Sequence, residues 1–165
     1  MEYNQSTVNY WKAFVLPYTF ALEELKTKFE IMNREAQFLE DYNPFEHIKT
    51  RLKQPESIIK KLEPTVENAQ THLQDIIGIR ITCCFVEDIY HLKEVIQKRE
   101  DMEVIEVKDY IANPKRNGYK SLHMIIKYPL SLNSGTKDVF AEIQLRTLAM
   151  DFWASLEHKL YYKYE

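Results

Sequence analysis

The chain has 165 residues, enough for one domain with a real core and too few for two full ones. With 22 Lys and Arg against 25 Asp and Glu, its formal net charge is −3. Nucleic-acid binding by bulk charge is therefore excluded as the main activity, no DNA partner is expected, and any basic site must be local. No apolar run approaches the ~20 residues of a membrane span, and the N-terminal "MEYNQSTVNYWK" lacks the basic and apolar regions of a signal peptide. The expectation is a soluble, cytoplasmic protein.

Residues 8–40 read as a helix, because Val8, Trp11, Phe14, Val15, Tyr18, Leu22, Leu25, Phe29, Met32, Ala36 and Leu39 recur at intervals of three and four. Pro17 is expected to kink this helix or mark a boundary. "DYNPF" at 41–45 is a break, and a second helix is expected from Pro55 through "ESIIKKLE" to a stop at Pro64. From residue 78 the period changes. "GIRITCCFV" (78–86) suits a buried strand, "EDIYHLKEVIQKRE" (87–100) a helix, and "MEVIEVKDY" (102–110) a strand. Adjacent Cys83 and Cys84 point to opposite faces of a strand and cannot readily bridge each other. Both read as buried thiols in a reducing compartment.

"SLHMIIKYP" (121–129) and "DVFAEIQLRT" (138–147) are strands. The second alternates clearly, with Val139, Ala141, Ile143 and Leu145 on one face and Glu142, Gln144 and Arg146 on the other. "LAMDFWASLEHKLYYKYE" (148–165) is a helical pattern that meets no Gly, Asn or Pro stop, and it reads either as a chain cut there or as a frayed natural terminus. The order predicts a single α/β (α+β) domain over 1–165, with a helical segment at 1–45 and a core at 46–165 built on a mixed sheet flanked by helices.

Three clusters could carry chemistry. Glu142, Gln144 and Arg146 are expensive to bury without partners, and on the preceding strand Ser121, His123 and Lys127 share one face. Either strand alone could be an exposed sheet face, whereas the two together look like the floor of a cleft. Asp75 stands three residues before Gly78, with Arg80 just beyond. Alone it is a turn residue. Paired with Glu142 it would make a two-carboxylate Mg²⁺ site that also takes substrate phosphates. "RLKQPES" offers Arg51, Lys53 and Ser57, either a phosphate site at a helix start or solvated surface. "NPKRNGYKSLHMIIKYP" (113–129) gathers Lys115, Arg116, Lys120 and Lys127 around Gly118. Neither GxxxxGK[ST] nor GxGxxG occurs, and the five histidines form no His-Asp pair or HExxH. An ordinary P-loop, a Rossmann fold and a metallohydrolase are disfavoured.

"RLKQPESI", "DIIGIR", "EVKDYIANPKRNGYKSLH" and "EIQLRTLAMDFWASLEHKLYYK", in that order, resemble the synthetase domain of the RelA/SpoT family, specifically its small alarmone synthetases. The resemblance implies a nucleotidyltransferase-like fold. It also implies transfer of pyrophosphate from ATP to the 3′-hydroxyl of GTP or GDP, which yields (p)ppGpp and AMP in the stringent response. By matching motifs, Arg51 and Arg80 would stack on adenine, while Lys53 and Ser57 hold the ATP phosphates. Asp75 and Glu142 would hold Mg²⁺, and Glu142 would also draw the proton from the attacking hydroxyl. Tyr119 would stack on guanine. Lys108, Lys115, Lys120 and His123 would gather around the guanine nucleotide's phosphates, with Asn117 and Gln144 as polar contacts. Family members assemble as homo-oligomers, commonly tetramers. Two other readings stand beside this one: a pyrophosphokinase that modifies the tRNA 3′ end, and an inactive nucleotide-binding module. The absent His-Asp motif argues against alarmone hydrolysis.

Overall fold

The computed structural model describes residues 5–54, 57–58 and 74–164. In chain order the described elements are α1 (Gln5–Glu40), β1 (His47–Leu52), β2 (Ile77–Cys83), α2 (Val86–Gln97), β3 (Glu103–Asp109), β4 (Leu122–Leu132), β5 (Gly135–Thr147) and α3 (Leu148–Tyr164). The five strands form one sheet in the order β1-β2-β5-β4-β3. Only β2 and β5 are parallel, and the other three pairings are antiparallel, so the sheet is mixed as expected. The expected second helix lies outside the described residues except for Ser57 and Ile58, whose amides both donate to the Gln54 carbonyl.

One face of the sheet is the core. Ile77, Ile79, Ile81 and Cys83 of β2, Leu122, Met124, Ile126, Tyr128 and Leu130 of β4, and Val139, Ala141, Ile143 and Leu145 of β5 all point into it. Against them pack Val15, Tyr18, Ala21, Leu25, Phe29 and Met32 of α1 and Ile89, Leu92 and Ile96 of α2. The alternation read in residues 138–147 is therefore the division between core and opposite face. A polar cluster fastens α1 at this side. Lys28 Nζ and Arg99 Nη2 meet Asp101 Oδ2 at 2.8 and 2.6 Å, and Tyr128 donates to Glu24 Oε1 at 3.0 Å. The two cations hold the Asp101 carboxyl well below the usual carboxylate range.

Four expectations change. Pro17 marks no boundary, since α1 continues through it. Packing of Val15, Tyr18 and Ala21 outweighs the lost amide, and Ala13, whose carbonyl loses that partner, lies on the exposed side. β1 was not expected. It is a short edge strand whose inward residues are only half-buried, so its apolar signal is weak. β4 and β5 run longer than read and join in a hairpin closed by the Leu132–Gly135 pair. Finally, only Cys83 is a buried thiol, pushed up to about 12 by burial, whereas Cys84 is exposed and donates to Glu46 Oε1 at 2.6 Å. Among the described residues no helix is long and apolar enough to cross a membrane.

Candidate active site

The face opposite the core carries a row of side chains set by strand register. Lys49 on β1 pairs with Arg80 on β2, Arg80 with Gln144 on β5, Gln144 with His123 on β4, and His123 with Lys108 on β3. The neighbouring row runs Arg51, Gly78, Glu142, Ile125. Three cations, an amide and an imidazole thus cross all five strands, beside a row that holds a carboxylate. Lys49, Arg51, Gly78, Arg80 and Gln144 border a slot of about 200 Å³. A side chain at Gly78 would narrow this slot, because a Cβ there would lie 3.7 Å from Arg51 Nε. A larger cleft of about 820 Å³ lies between this face and α3, bordered by Lys49, Arg80, Tyr119, Arg146, His158 and Lys159 among others. By contrast, the groove between α1 and α2 on the other side carries Glu35, Glu40, Glu87 and Asp88, a lining unsuited to phosphates.

Gln144 is the hub of the hydrogen bonding. Its Nε2 donates to Glu142 Oε1 at 2.6 Å, and its Oε1 accepts from Arg80 Nε at 3.4 Å and Arg146 Nη2 at 3.2 Å. Arg146 is buried, with 5% of its surface exposed. It also donates from Nη2 to the Tyr119 hydroxyl at 2.6 Å and from Nη1 to Asp151 Oδ1 at 3.3 Å. The same Asp151 oxygen accepts from Arg80 Nη1 at 3.5 Å. Burial lowers the pKa of Arg80, as does the nearby Arg146 charge, while Asp151 opposes the shift.

Tyr119 Oη lies 2.9 Å from His123 Nε2. Because Arg146 can only donate, the tyrosine oxygen accepts from it, and its own proton is assigned to His123 Nε2. The imidazole N–H is then on Nδ1, the atom 4.0 Å from Glu142 Oε2. Burial lowers the pKa of His123 to about 4, with Glu142 opposing and Arg146, Lys115 and Lys108 adding to the drop. At neutral pH the imidazole is uncharged.

The loop between β3 and β4 brings Tyr119 to this face. Asp109 anchors its start by accepting from the amides of Ile111 and Ala112 and from the Tyr90 hydroxyl. Tyr110 N donates to Ser121 O at 2.9 Å and closes the base. At the tip Gly118 has φ +85°, a backbone conformation that favours glycine, and it lies under the Trp153 ring. Asn117 faces both ways, accepting from the Tyr119 amide at 3.1 Å and donating to Glu157 of α3 at 3.2 Å. Lys115 Nζ stands 4.7 Å from the Tyr110 ring centroid and 5.2 Å from that of Tyr119.

Arg51, Arg80, Lys115, Asn117, Tyr119, His123, Glu142 and Gln144 therefore gather at one face and its overhanging loop. Asp75 sits in the turn before β2 and is ion-paired to Lys53 Nζ at 2.8 Å. Because Gly78 is the partner of Glu142, both carboxylates belong to the same end of the β2–β5 pair. Ser57 is exposed just past β1. Two residues lie apart. Lys108, at the far edge, pairs with Glu106 at 3.4 Å, and Lys120 borders a separate hollow with Gly118, Thr147 and Trp153. Lys127, four residues along β4 from His123, is bound to its cross-strand partner Glu103 at 2.8 Å. Sequence reasoning gave no role to Lys49, Asp151 or Glu157. Arg146 was legible as a polar-face residue, but its central place was not.

A family model described as a region found in RelA / SpoT proteins matches residues 50–165. The chain is 50% identical over 158 residues to the GTP pyrophosphokinase YwaC of Bacillus subtilis, covering 93% of this chain and 75% of that one. With the GTP pyrophosphokinase YjbM of the same organism the identity is 43% over 157 residues, covering 93% and 74%. Among solved structures, the small alarmone synthetase 1 of Bacillus subtilis bound to its product pppGpp superposes with a TM-score of 0.87 at 43% identity, covering 94% of this chain and 81% of that one. The small alarmone synthetase 2 of Bacillus subtilis gives 0.83 at 51% identity, covering 93% and 80%. The match spans the cationic row, the Tyr119 loop and α3 alike, and the chain belongs to the RelA/SpoT family.

Proposed function

We propose that this chain is a GTP pyrophosphokinase, a small alarmone synthetase that moves the pyrophosphate of ATP to the 3′-hydroxyl of GTP or GDP and releases AMP. The observation that carries the reading is the cross-strand row with Glu142 beside it, under a loop that presents Tyr119. Two anionic nucleotides need clustered cations, and in-line transfer between them needs a base where they meet. Family membership at 50% identity to a GTP pyrophosphokinase supports the same conclusion.

Each residue takes a part in this reading. Arg51 and Arg80 border the slot over Gly78 and take the adenine between planar guanidinium groups. Lys53 and Ser57 hold the ATP phosphates. Tyr119 stacks on guanine, and Lys115, Asn117, Lys120, His123, Lys108 and Gln144 contact that nucleotide, Lys108 and Lys120 from the periphery. Glu142, oriented by the Gln144 amide at 2.6 Å, accepts the 3′-hydroxyl proton. As the 3′-oxygen bonds to the β-phosphorus, the bridging oxygen leaves on AMP. Asp75 and Glu142 are the residues that would hold Mg²⁺. Two carboxylates suit a hard cation that takes its remaining ligands from phosphates and water, and the ion would offset charge on the transferring group.

We further read the whole chain as one synthetase domain, with a helical segment to residue 45 and the core from 46, working in the cytoplasm where both nucleotides are made. It is also read as a subunit of a homo-oligomer. The support is the apolar stripe of α3, where Phe152 is 70%, Leu156 46% and Leu160 47% exposed. Sedimentation velocity tests this, and a monomer at micromolar concentration would overturn it.

The activity is tested by incubating the protein with labelled ATP, Mg²⁺ and either GTP or GDP. AMP and a 3′-pyrophosphorylated guanine nucleotide are expected, and no such product despite binding of both nucleotides would sink the reading. Glu142→Gln keeps the shape and should lower kcat by about 10² or more, as losses of a general base do; near-normal turnover would move the base elsewhere. Tyr119→Ala should weaken GTP or GDP binding by roughly five- to a hundred-fold, since base–aromatic stacking is worth about 1–3 kcal/mol. ATP affinity should fall far less, and equal weakening of both would make Tyr119 a support of the fold. The fourth expectation concerns pH. The folded His123 pKa of about 4 lies below the ordinary 6.5, so its stabilisation is full above pH 6.5 and is lost as pH falls toward 4. Between pH 7 and 5 the wild type should lose about 1–2 kcal/mol more than His123→Gln in urea titrations. Parallel losses would mean that the imidazole titrates normally.

A further inference from the structure

The last helix reaches the site through one carboxylate. Asp151 stands in the first turn of α3, and its Oδ1 accepts from Arg80 at 3.5 Å and from Arg146 at 3.3 Å. Resting on the synthetase reading, these guanidiniums belong to different subsites: Arg80 borders the adenine slot, and Arg146 holds the hydroxyl of the guanine-stacking Tyr119 at 2.6 Å. We propose that Asp151 is a positioning residue that ties the two nucleotide subsites together, fixing the ATP-side arginine and the guanine-side tyrosine in one arrangement.

Three observations carry this. First, the two guanidiniums share two acceptors, Gln144 Oε1 and Asp151 Oδ1, and only the second is charged. Without it two like charges would crowd one neutral amide, and Arg146, 5% exposed, cannot turn out to water. Second, Asp151 is not needed to start the helix, because Thr147 Oγ1 already accepts from the Met150 amide at 3.2 Å. Third, α3 has no buried residue, so its apolar contacts at Met150 and Trp153 are joined by polar ties to the site, from Asp151 and from Glu157 to Asn117. The lowered Arg80 pKa, caused in part by Arg146 and opposed by Asp151, agrees with the same balance.

The test uses equilibrium binding, which needs no turnover. The non-hydrolysable ATP analogue AMPCPP and GDP are titrated separately into wild type and Asp151→Asn, with melting temperatures recorded beside them. Both affinities should fall about tenfold, the scale of a hydrogen bond to a charged group, and Asp151→Glu should recover part of each. Unchanged affinities with a lower melting temperature would make Asp151 purely structural, and loss of one nucleotide alone would also overturn the proposal. If Asp151→Asn does not fold, Arg80→Lys provides the second reading. It should weaken GDP as well as AMPCPP, and an unaltered GDP affinity would break the link. A wild type that binds both nucleotides but makes no alarmone would refute the synthetase reading while leaving this binding comparison standing.

Discussion

The parallel pairing of β2 with β5 is the constraint on which the site depends. It sets Gly78 opposite Glu142 and Arg80 opposite Gln144, so the slot and the proposed base come from one register. Side chains on a strand alternate with a period of two, so a slip of one residue would carry Ile79 and Ile143 to the open face and Arg80 and Gln144 into the core. The apolar halves of both strands forbid this: Ile77, Ile79, Ile81, Ala141, Ile143 and Leu145 are all essentially inaccessible. Hydrophobic burial on one face thereby fixes the chemistry on the other. The antiparallel neighbours extend the pattern, β1 adding Lys49 and Arg51 and β4 adding His123.

That arrangement concentrates positive charge in a chain whose net charge is −3. Lys49, Arg51, Arg80 and Arg146 lie on neighbouring strands of one face, with Glu142 and Asp151 as the nearby carboxylates. Other acids serve elsewhere: Asp101 fastens α1, Asp88 accepts from the Phe85 amide at the start of α2, and Asp109 anchors the loop. The face is suited to receive anions because its cations are held by neutral groups and shared acceptors. Gln144 exemplifies this, as its oxygen orients two guanidiniums without neutralising either. Preorganised charge of this kind is what phosphoryl-type transfer asks of a protein.

Much of the fold was legible because a half-buried strand and a core-facing helix leave their periods in the sequence. β5 alternates from Val139 to Leu145, and α1 repeats at threes and fours, so both were readable to within a few residues. β1 was not, since only Ile48, Thr50 and Leu52 face inward and none is fully buried. Within the site, residue types foretold which side chains would gather, but not which would touch. Tyr119 and Lys120 are adjacent in sequence and part company, one toward His123 and Arg146, the other toward Trp153. Arg146 was visible as a polar residue on a strand, yet its role rests on partners at 119, 144 and 151, which no local pattern joins. The same holds for Asp151, which in sequence is only an acid near a helix start.

Those tertiary contacts explain why α3 matters although none of its residues is fully buried. A helix held by hydrophobic packing would be indifferent to the charge state of the site below it. This one is held in part by Asp151 on two guanidiniums, by Glu157 on Asn117, and by Trp153 against Gly118. These contacts end on Arg80 of the slot, on Arg146, which holds the Tyr119 hydroxyl, and on the loop that carries Tyr119. The position of α3 and the order of the site are consequently one equilibrium, and whatever stabilises either stabilises both. On the proposed reading, nucleotides that neutralise Arg80 or engage Tyr119 would act on the helix from below, while a partner covering Phe152 and Leu160 would act on the same helix from outside. On that reading assembly and substrate binding would reinforce each other with no contact between subunit interface and nucleotide, through a helix that both must position.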